Sequence, residues 1–394
     1  MRRNRILLTL IVTVLFTYLL SSCTSQPSNS TTAQPECRVG LVMPTTGEMA
    51  PYGSEGVLAA RIALEHAREK FKNCRPVLLE QDSASDPNQS NLAAANLLAP
   101  PNSAQIIVGE INSANTAAMV SQARTANVPI IAPTASAISL TSISQQVFRI
   151  WPSDAYEAKK MKEHMVSQGV KKVAVLYIQV PYGEEMAKYF EQEFKSDGEV
   201  LLESYPKGIM DFKPLLQRLQ GYDEIYLISY VEDAVLILKQ AYELRSSTRH
   251  KFRFFGTSVL DNPKLVKEAG SAAEGVIFAV VQPGNNGDEA MRNRFISEYK
   301  NSRSNLKENA LQSAAVEPTF ASFHVYDAVT LAFSACDASS AGGQPSGQKI
   351  LDNLKSMPLT IGVTGKIQFD PKGDLMADRT VVFKQVKEGA ITPL

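Results

Sequence analysis

The sequence predicts an α/β protein made of two successive halves, each a doubly wound parallel sheet. Three observations carry that prediction. From residue 37 onward, short apolar runs of strand length alternate with stretches of helical periodicity. The connections between them are short and end in helix-capping residues, as βαβ units require, and strands apolar on both faces imply a sheet covered on both sides. The alternation pauses at Val147-Phe148-Arg149-Ile150-Trp151-Pro152 and then restarts.

In the first half, the strand Val39–Met43 leads through a Thr-Thr-Gly loop into a helix. Val57, Ala60, Leu64, Ala67 and Phe71 fall on one face of that helix. After a second strand at Val77–Leu79, Asp86-Pro87 pairs an N-cap with a proline at the first helical position. Ile106–Val108 ends at Gly109, and Asn112 or Ser113 can cap the helix that follows. Val128–Ile131 is the fourth strand.

The second half repeats the pattern, with strands at Val173–Ile178, Val200–Ser204, Ile225–Ser229, Phe252–Phe255 and Val276–Val281. Helices are expected near 153–168, 183–196, 211–220, 231–246 and 262–269. Two more follow near 288–300 and 316–336, with surface loops at 301–315 and 337–346. A strand pair around the Asp370-Pro371-Lys372-Gly373 turn closes the chain.

The N-terminus has its own character. Arg2, Arg3 and Arg5 precede an uncharged, mostly apolar run from Ile6 to Leu20, short for a permanent bilayer span and suited to a signal peptide over residues 1–22. Leu20-Ser21-Ser22-Cys23 looks like a lipobox, which makes Cys23 the lipidated residue. Residues 23–36 lack any Leu, Ile, Val, Phe or Met, so they are expected to be a flexible tether. An exported protein can keep disulfides. Cys37 and Cys74 each directly precede a strand, so a Cys37–Cys74 bridge is expected if those strands are neighbours; two reduced thiols are the alternative. Cys336 is expected to be a small buried residue, and no Cys/His spacing suggests a metal.

With 40 Lys+Arg against 40 Asp+Glu, the chain has no surplus of cations for a nucleic-acid surface. It has no HExxH, GxSxG or GxxxxGK[ST] motif, and Glu184-Glu185 are adjacent and diverge on a helix. Gly342–Gly347 is expected to be a loop. His66, beside Glu65 and Arg68, is expected to be solvated; His164 and His250 exposed; His324 a helix-packing residue. No enzyme activity and no cofactor are expected.

Several fragments together resemble a known family. They are Val39-Gly40-Leu41…Pro44-Thr45-Thr46-Gly47…Tyr52-Gly53, Asp82…Asp86-Pro87, Ile107-Val108-Gly109…Ser113 and Val128-Pro129-Ile130-Ile131-Ala132-Pro133. Tyr182-Gly183, Phe255-Gly256, Ala273-Glu274-Gly275-Val276, Tyr326-Asp327-Ala328 and Thr364-Gly365…Phe369-Asp370…Gly373-Asp374 follow. Over residues 37–386 the chain resembles the leucine/isoleucine/valine-binding proteins, type I periplasmic binding proteins that serve ABC importers. That resemblance implies two lobes, 37–150 with 283–358 and 151–282 with 359–394, joined by a three-crossing hinge with a ligand cleft between them.

It also implies roles. Ser113, Thr134 and Ser136 align with contacts to a ligand carboxylate, Tyr52 with an aromatic wall, and Tyr182 and Tyr230 with aromatics that close over the ligand. Ser258 stands where amino-acid-binding relatives place an acid for the ligand ammonium, and Asp261 either turns inward or caps a helix. The loss of that acid widens the expected ligands from amino acids to amides and carboxylates. The implied partners are an ABC permease and, through Cys23, a membrane of the bacterial envelope facing the periplasm or exterior. In a double-membraned bacterium, the resemblance of Thr24 after the lipidated cysteine to the lipoprotein sorting pattern would imply the outer rather than the inner membrane, and the sequence leaves that choice open. The alternative is an envelope lipoprotein that uses the same fold to regulate a protein partner such as a cell-wall synthase.

Overall fold

Parallel strands with buried, β-branched runs stack into two separate sheets, and the chain crosses between them three times. The computed structural model describes residues 34–248, 251–282, 287–307, 311–376 and 379–394. The expected signal peptide, Cys23 and nearly all of the tether lie outside them, as does His250. Residues 35–394 form one compact unit.

The first sheet has the order β2-β1-β3-β4-β5. Its strands are β1 (Glu36–Met43), β2 (Arg75–Asp82), β3 (Ile106–Val108), β4 (Ile130–Ala132) and β5 (Val147–Arg149), all parallel. Helices α1 (Ala50–Lys70), α2 (Pro87–Leu98) and α3 (Ser113–Ala126) make the crossovers. Asp86 caps α2 by accepting from Asn88 N at 2.9 Å and Gln89 N at 3.0 Å. The pause at Val147 is in fact a fifth strand: Val147 and Phe148 are buried and pair with Ile130 and Ile131. Cys37 pairs in register with Pro76, which brings it beside Cys74, and the two are joined by a disulfide of 2.07 Å. Cys336 is a buried free thiol.

The second sheet runs β14-β13-β10-β9-β8-β6-β7. Helices α4 (Asp154–Ser167), α5 (Pro181–Phe194), α6 (Lys213–Arg218), α7 (Val231–Thr248) and α8 (Pro263–Ala269) alternate with its parallel strands. Those strands are β6 (Lys172–Ile178), β7 (Glu199–Tyr205), β8 (Glu224–Ile228), β9 (Arg253–Gly256) and β10 (Ile277–Val281). The chain then returns to the first sheet with α9 (Glu289–Ser304), α10 (Phe320–Ser339) and α11 (Gly347–Ser356).

Four sequence expectations change here. α9 runs on into the stretch expected as loop. α11 is a helix the sequence reading lacked, anchored by buried Ile350, Leu351 and Leu354. Residues 369 and 375 meet in a single bridge, because Asp370 Oδ1 accepts from Lys372 N and Asp374 N and closes the turn at once. The strand pairs are instead β11 (Thr360–Gly362) with β12 (Gly365–Ile367), and β13 (Val381–Lys387) with β14 (Ala390–Pro393). Finally, Val363, Ile367 and Phe369 join the core of the first lobe. The segment expected to return to the second lobe from residue 359 packs there only from Val381.

Two of the four histidines differ from expectation. His66 is held between Tyr326 Oη and Glu298, each at 2.7 Å, and is largely shielded. His164 stacks on Phe383 with ring centroids 4.0 Å apart. His324 is buried and bonds the Phe320 carbonyl.

Candidate functional site

The loops that leave the carboxyl ends of both sheets converge on one cavity of about 80 Å³. One buried water occupies ~10–15 Å³ on that measure, so roughly five to eight water-sized groups fit. Ser113, Thr134, Ser136, Tyr52, Tyr182, Tyr230 and Ser258 all line it.

On the first lobe, β3 ends in a loop pinned by the buried carboxylate of Glu110, which accepts from Ser83 Oγ, Ile111 N at 2.7 Å and Asn112 N at 3.3 Å. Asn112 then caps α3 through Asn115 N at 2.9 Å. The amides of Ser113 and Ala114 precede the first intrahelical bond, and Asn112 and Ser113 line the cavity, which sets the positive end of α3 beside it as an anion donor. Ser113 Oγ accepts from Ser136 N at 3.1 Å and Ala137 N at 3.0 Å, which leaves its hydroxyl hydrogen to donate. Thr134 spends its hydrogen on the Ile111 carbonyl at 2.7 Å, so its oxygen remains as an acceptor. Ser136 is fixed from behind by Arg149, whose Nη1 donates to the carbonyls of Ser136 and Ala137 at 2.9 and 2.6 Å.

On the second lobe, α5 starts very close to β6. A Cβ on Gly183 would lie 2.2 Å from the Ile178 carbonyl, so only glycine permits the turn that aims Tyr182 inward. Tyr182 Oη meets Thr257 Oγ1 at 2.7 Å, and its ring stacks on Tyr230 at 5.9 Å. Gly53 has the same role under Tyr52, with a Cβ 2.0 Å from the Pro44 carbonyl. Tyr52 packs on Phe320, which packs on Trp151.

The sequence reading missed the acids. Asp154 and Glu157, on the first turn of α4, are both buried in the wall of this cavity. Glu157 reaches the position that the Ser258 side chain leaves open: Ser258 N donates to Glu157 Oε1 at 2.7 Å and Ser258 Oγ to Oε2 at 2.6 Å. Asp154 Oδ2 has no hydrogen-bond partner among the described residues. Burial is the main cause that raises the Asp154 carboxyl well above its ordinary range, with the Glu157 charge adding to it. Burial likewise raises Glu157 to about 7 against the pull of the Ser258 bonds. Asp261 neither turns inward nor caps α8; it pairs with Lys384 at 2.8 Å, and Asn262 is the cap. The lining holds Asp154, Glu157 and Glu232 and, among the described residues, no Lys or Arg. Glu232 is matched by Lys264 at 2.9 Å.

Several contacts among the described residues join the lobes across the cleft. Ser139 N and Oγ both donate to Glu185, at 2.7 and 2.6 Å. Lys207 meets Glu48 at 2.6 Å, and Asn262 donates to Tyr52 Oη at 2.6 Å. Glu184, by contrast, points to Lys188 on its own helix, so the adjacent pair does diverge.

The two-lobed fold is shared with known proteins. The periplasmic binding protein family model matches residues 36–390. The leucine-specific-binding protein of Salmonella typhimurium is 25% identical over 368 residues, covering 91% of this chain and 93% of that one. Among solved structures, the branched-chain amino acid transporter substrate binding protein LivJ of Streptococcus pneumoniae, in complex with isoleucine, has a TM-score of 0.73 at 22% identity, covering 90% and 97% of the two chains. An ABC transporter solute binding protein of R. palustris, in complex with benzoate, has a TM-score of 0.73 at 20% identity, covering 91% and 95%. With the family model spanning nearly all of the two-lobed body, this chain belongs to the periplasmic binding proteins, a family that binds solutes and is not one of enzymes.

Proposed function

We propose that this protein is the extracytoplasmic solute receptor of an ABC importer, and that it captures an amino acid or a closely related solute by closing its two lobes. One observation carries the reading. A helix N-terminus and a free hydroxyl hydrogen, suited to a carboxylate, share one cavity with two buried acids suited to an ammonium. Aromatic and aliphatic walls complete it: Tyr52, Trp151, Tyr182, Tyr230 and Phe320 surround the space where a side chain would lie. An amine-free carboxylate fits poorly, because it would meet Asp154 and Glu157 with no cation in the lining. Ligand contacts in both lobes stabilise the closed state, which a permease then reads. Lipid anchoring through Cys23 belongs to the same proposal and rests on the Leu20-Ser21-Ser22-Cys23 motif. Glu157 stands in for the acid absent at Ser258, so that absence does not favour a regulator of a protein partner over a receptor.

A thermal-shift panel of amino acids, amides and small carboxylates tests the proposal. A ligand at 100 times its dissociation constant adds about 2.7 kcal/mol to the folded state, which a melting curve resolves. Amino acids should shift the melt and amine-free carboxylates should not. A folded protein indifferent to the whole panel would favour the partner-binding reading.

A further inference from the structure

Asp154 and Glu157 lie three residues apart on the first turn of α4, so they share one helix face. Their relative exposures are 2% and 4%. The groups around them offer little cationic charge. Arg149, from β5, is fully buried and pairs with Asp374 while its Nη1 serves the Ser136 and Ala137 carbonyls; its Nη2 has no partner among the described residues, and its charge pulls the Asp154 carboxyl down less than burial and the Glu157 charge push it up. Glu185, from α5, adds a further negative charge and is taken by Ser139. Tyr182 from α5, Tyr226 from β8 and Tyr230 beyond it face the pair as phenols, and burial raises all three, so they stay neutral at physiological pH. Two carboxyl groups three residues apart in one buried wall, with Arg149 already bonded to Asp374, cannot both ionise at low cost.

Resting on the reading of the cleft as an amino-acid site, we propose that Asp154 and Glu157 share one proton, and that the pair gives it up as the ammonium group of the solute enters. Capture is thereby linked to pH. The carboxylic O–H bond breaks, the proton passes to the buffer, and ammonium N–H groups donate to the carboxylate oxygens, Asp154 Oδ2 among them. The solute keeps all of its own protons. Glu157, raised to about 7, puts the free pair in the range where this exchange is visible. The sign follows: lowering the pH keeps the pair protonated and opposes the ammonium, so affinity falls by up to about tenfold per pH unit below that value. Above it, affinity levels off. The device would hold solute in neutral surroundings and let it go in acidic ones.

Calorimetric titration with L-leucine, L-alanine and L-threonine tests the inference on the full chain. Titrations at about pH 6 in two buffers of different ionisation enthalpy give the proton count directly. The expected result is release of about one proton per bound amino acid at pH 6, falling towards zero at pH 8. Glu157→Gln should at least halve the release at pH 6 and flatten the affinity between about pH 5.5 and 7. Asp154→Asn, should the first variant fold poorly, is expected to do the same, with melting curves as the control for folding. Binding of an amino acid with no proton exchange and constant affinity from pH 5 to 8 overturns the inference and leaves the receptor reading intact. Failure of all three amino acids to bind at any pH overturns both.

Discussion

Removing the Glu185 carboxylate should loosen the closed protein without touching the solute. Glu185 does not line the cavity, yet it accepts two hydrogen bonds from Ser139 of the opposite lobe, at 2.7 and 2.6 Å. A hydrogen bond to a charged group is worth ~1.5–3 kcal/mol when sheltered. This contact is exposed, where comparable ionic contacts measure only ~0.2–1 kcal/mol each. Two short bonds to one carboxylate lie between those limits, so the pair together should contribute ~1–2 kcal/mol to closure, which Glu185→Ala forfeits. That is a 5- to 30-fold weaker affinity, carried mainly by faster dissociation because the lobes part as solute leaves. Stopped-flow dissociation and equilibrium titration of Glu185→Ala measure both quantities, and small-angle scattering of the solute-free protein should report a larger radius of gyration. Lys207→Ala serves as the scale. Its bond to Glu48 joins two side chains that are about half exposed, so its loss should cost under ~0.5 kcal/mol. Dissociation and affinity within about twofold of wild type for Glu185→Ala would refute the latch.

Three further outcomes are expected. Ser113→Ala removes the one free hydroxyl hydrogen at the α3 terminus and the acceptor for Ser136 N and Ala137 N; amino-acid affinity should drop by ~1–2 kcal/mol in a calorimetric titration, and an unchanged value would exclude Ser113 as a ligand contact. Replacing both Cys37 and Cys74 by Ser opens a loop spanning 37 residues, and urea unfolding should show a loss of ~3–4 kcal/mol, with a loss under ~1 kcal/mol contradicting the account. Burial on α1 pushes the Glu55 carboxyl up from its ordinary 4.5 to about 7, against the pull of its Thr319 bond. The folded chain thus holds a proton that the unfolded chain has lost, and stability falls as pH rises through that window. Between pH 5 and 8 the wild type should lose roughly 2.5 kcal/mol relative to Glu55→Gln; parallel losses in the two proteins would contradict it.

The strand–helix rhythm was legible because each element carried its own local signal. Asp86 before Pro87 caps α2, and the apolar runs at Ile106–Val108 and Val173–Ile178 become buried strands. Ser113 and Thr134 could be singled out because they follow strand ends. Asp154 and Glu157 could not. After Ser153, two acids in a first helical turn look like ordinary complements to the helix dipole. What turns them inward is tertiary: the first crossing places the start of α4 under the cleft, and Ser258, from a loop a hundred residues later, fixes Glu157. The 153–157 stretch did hold one signal, an i,i+3 acid pair directly after an aromatic strand end. β5 was lost because Arg149 interrupts its apolar run, and the guanidinium is buried there only through partners elsewhere in the chain, Asp374 among them. His66 looked solvated from its neighbours Glu65 and Arg68, and only α9 and α10, folding back from residues 289–339, enclose it.

The central claim is that one cleft holds a carboxylate on the first lobe and an ammonium on the second. A crystal structure of the protein with the amino acid that shifts its melt most would test it directly. The account predicts the ligand carboxylate at ~3 Å from Ser113 Oγ and the first amides of α3, and the ammonium at ~3 Å from Asp154 Oδ2 beside Glu157. A ligand lying the other way round, or an amine-free solute against Asp154, would contradict it.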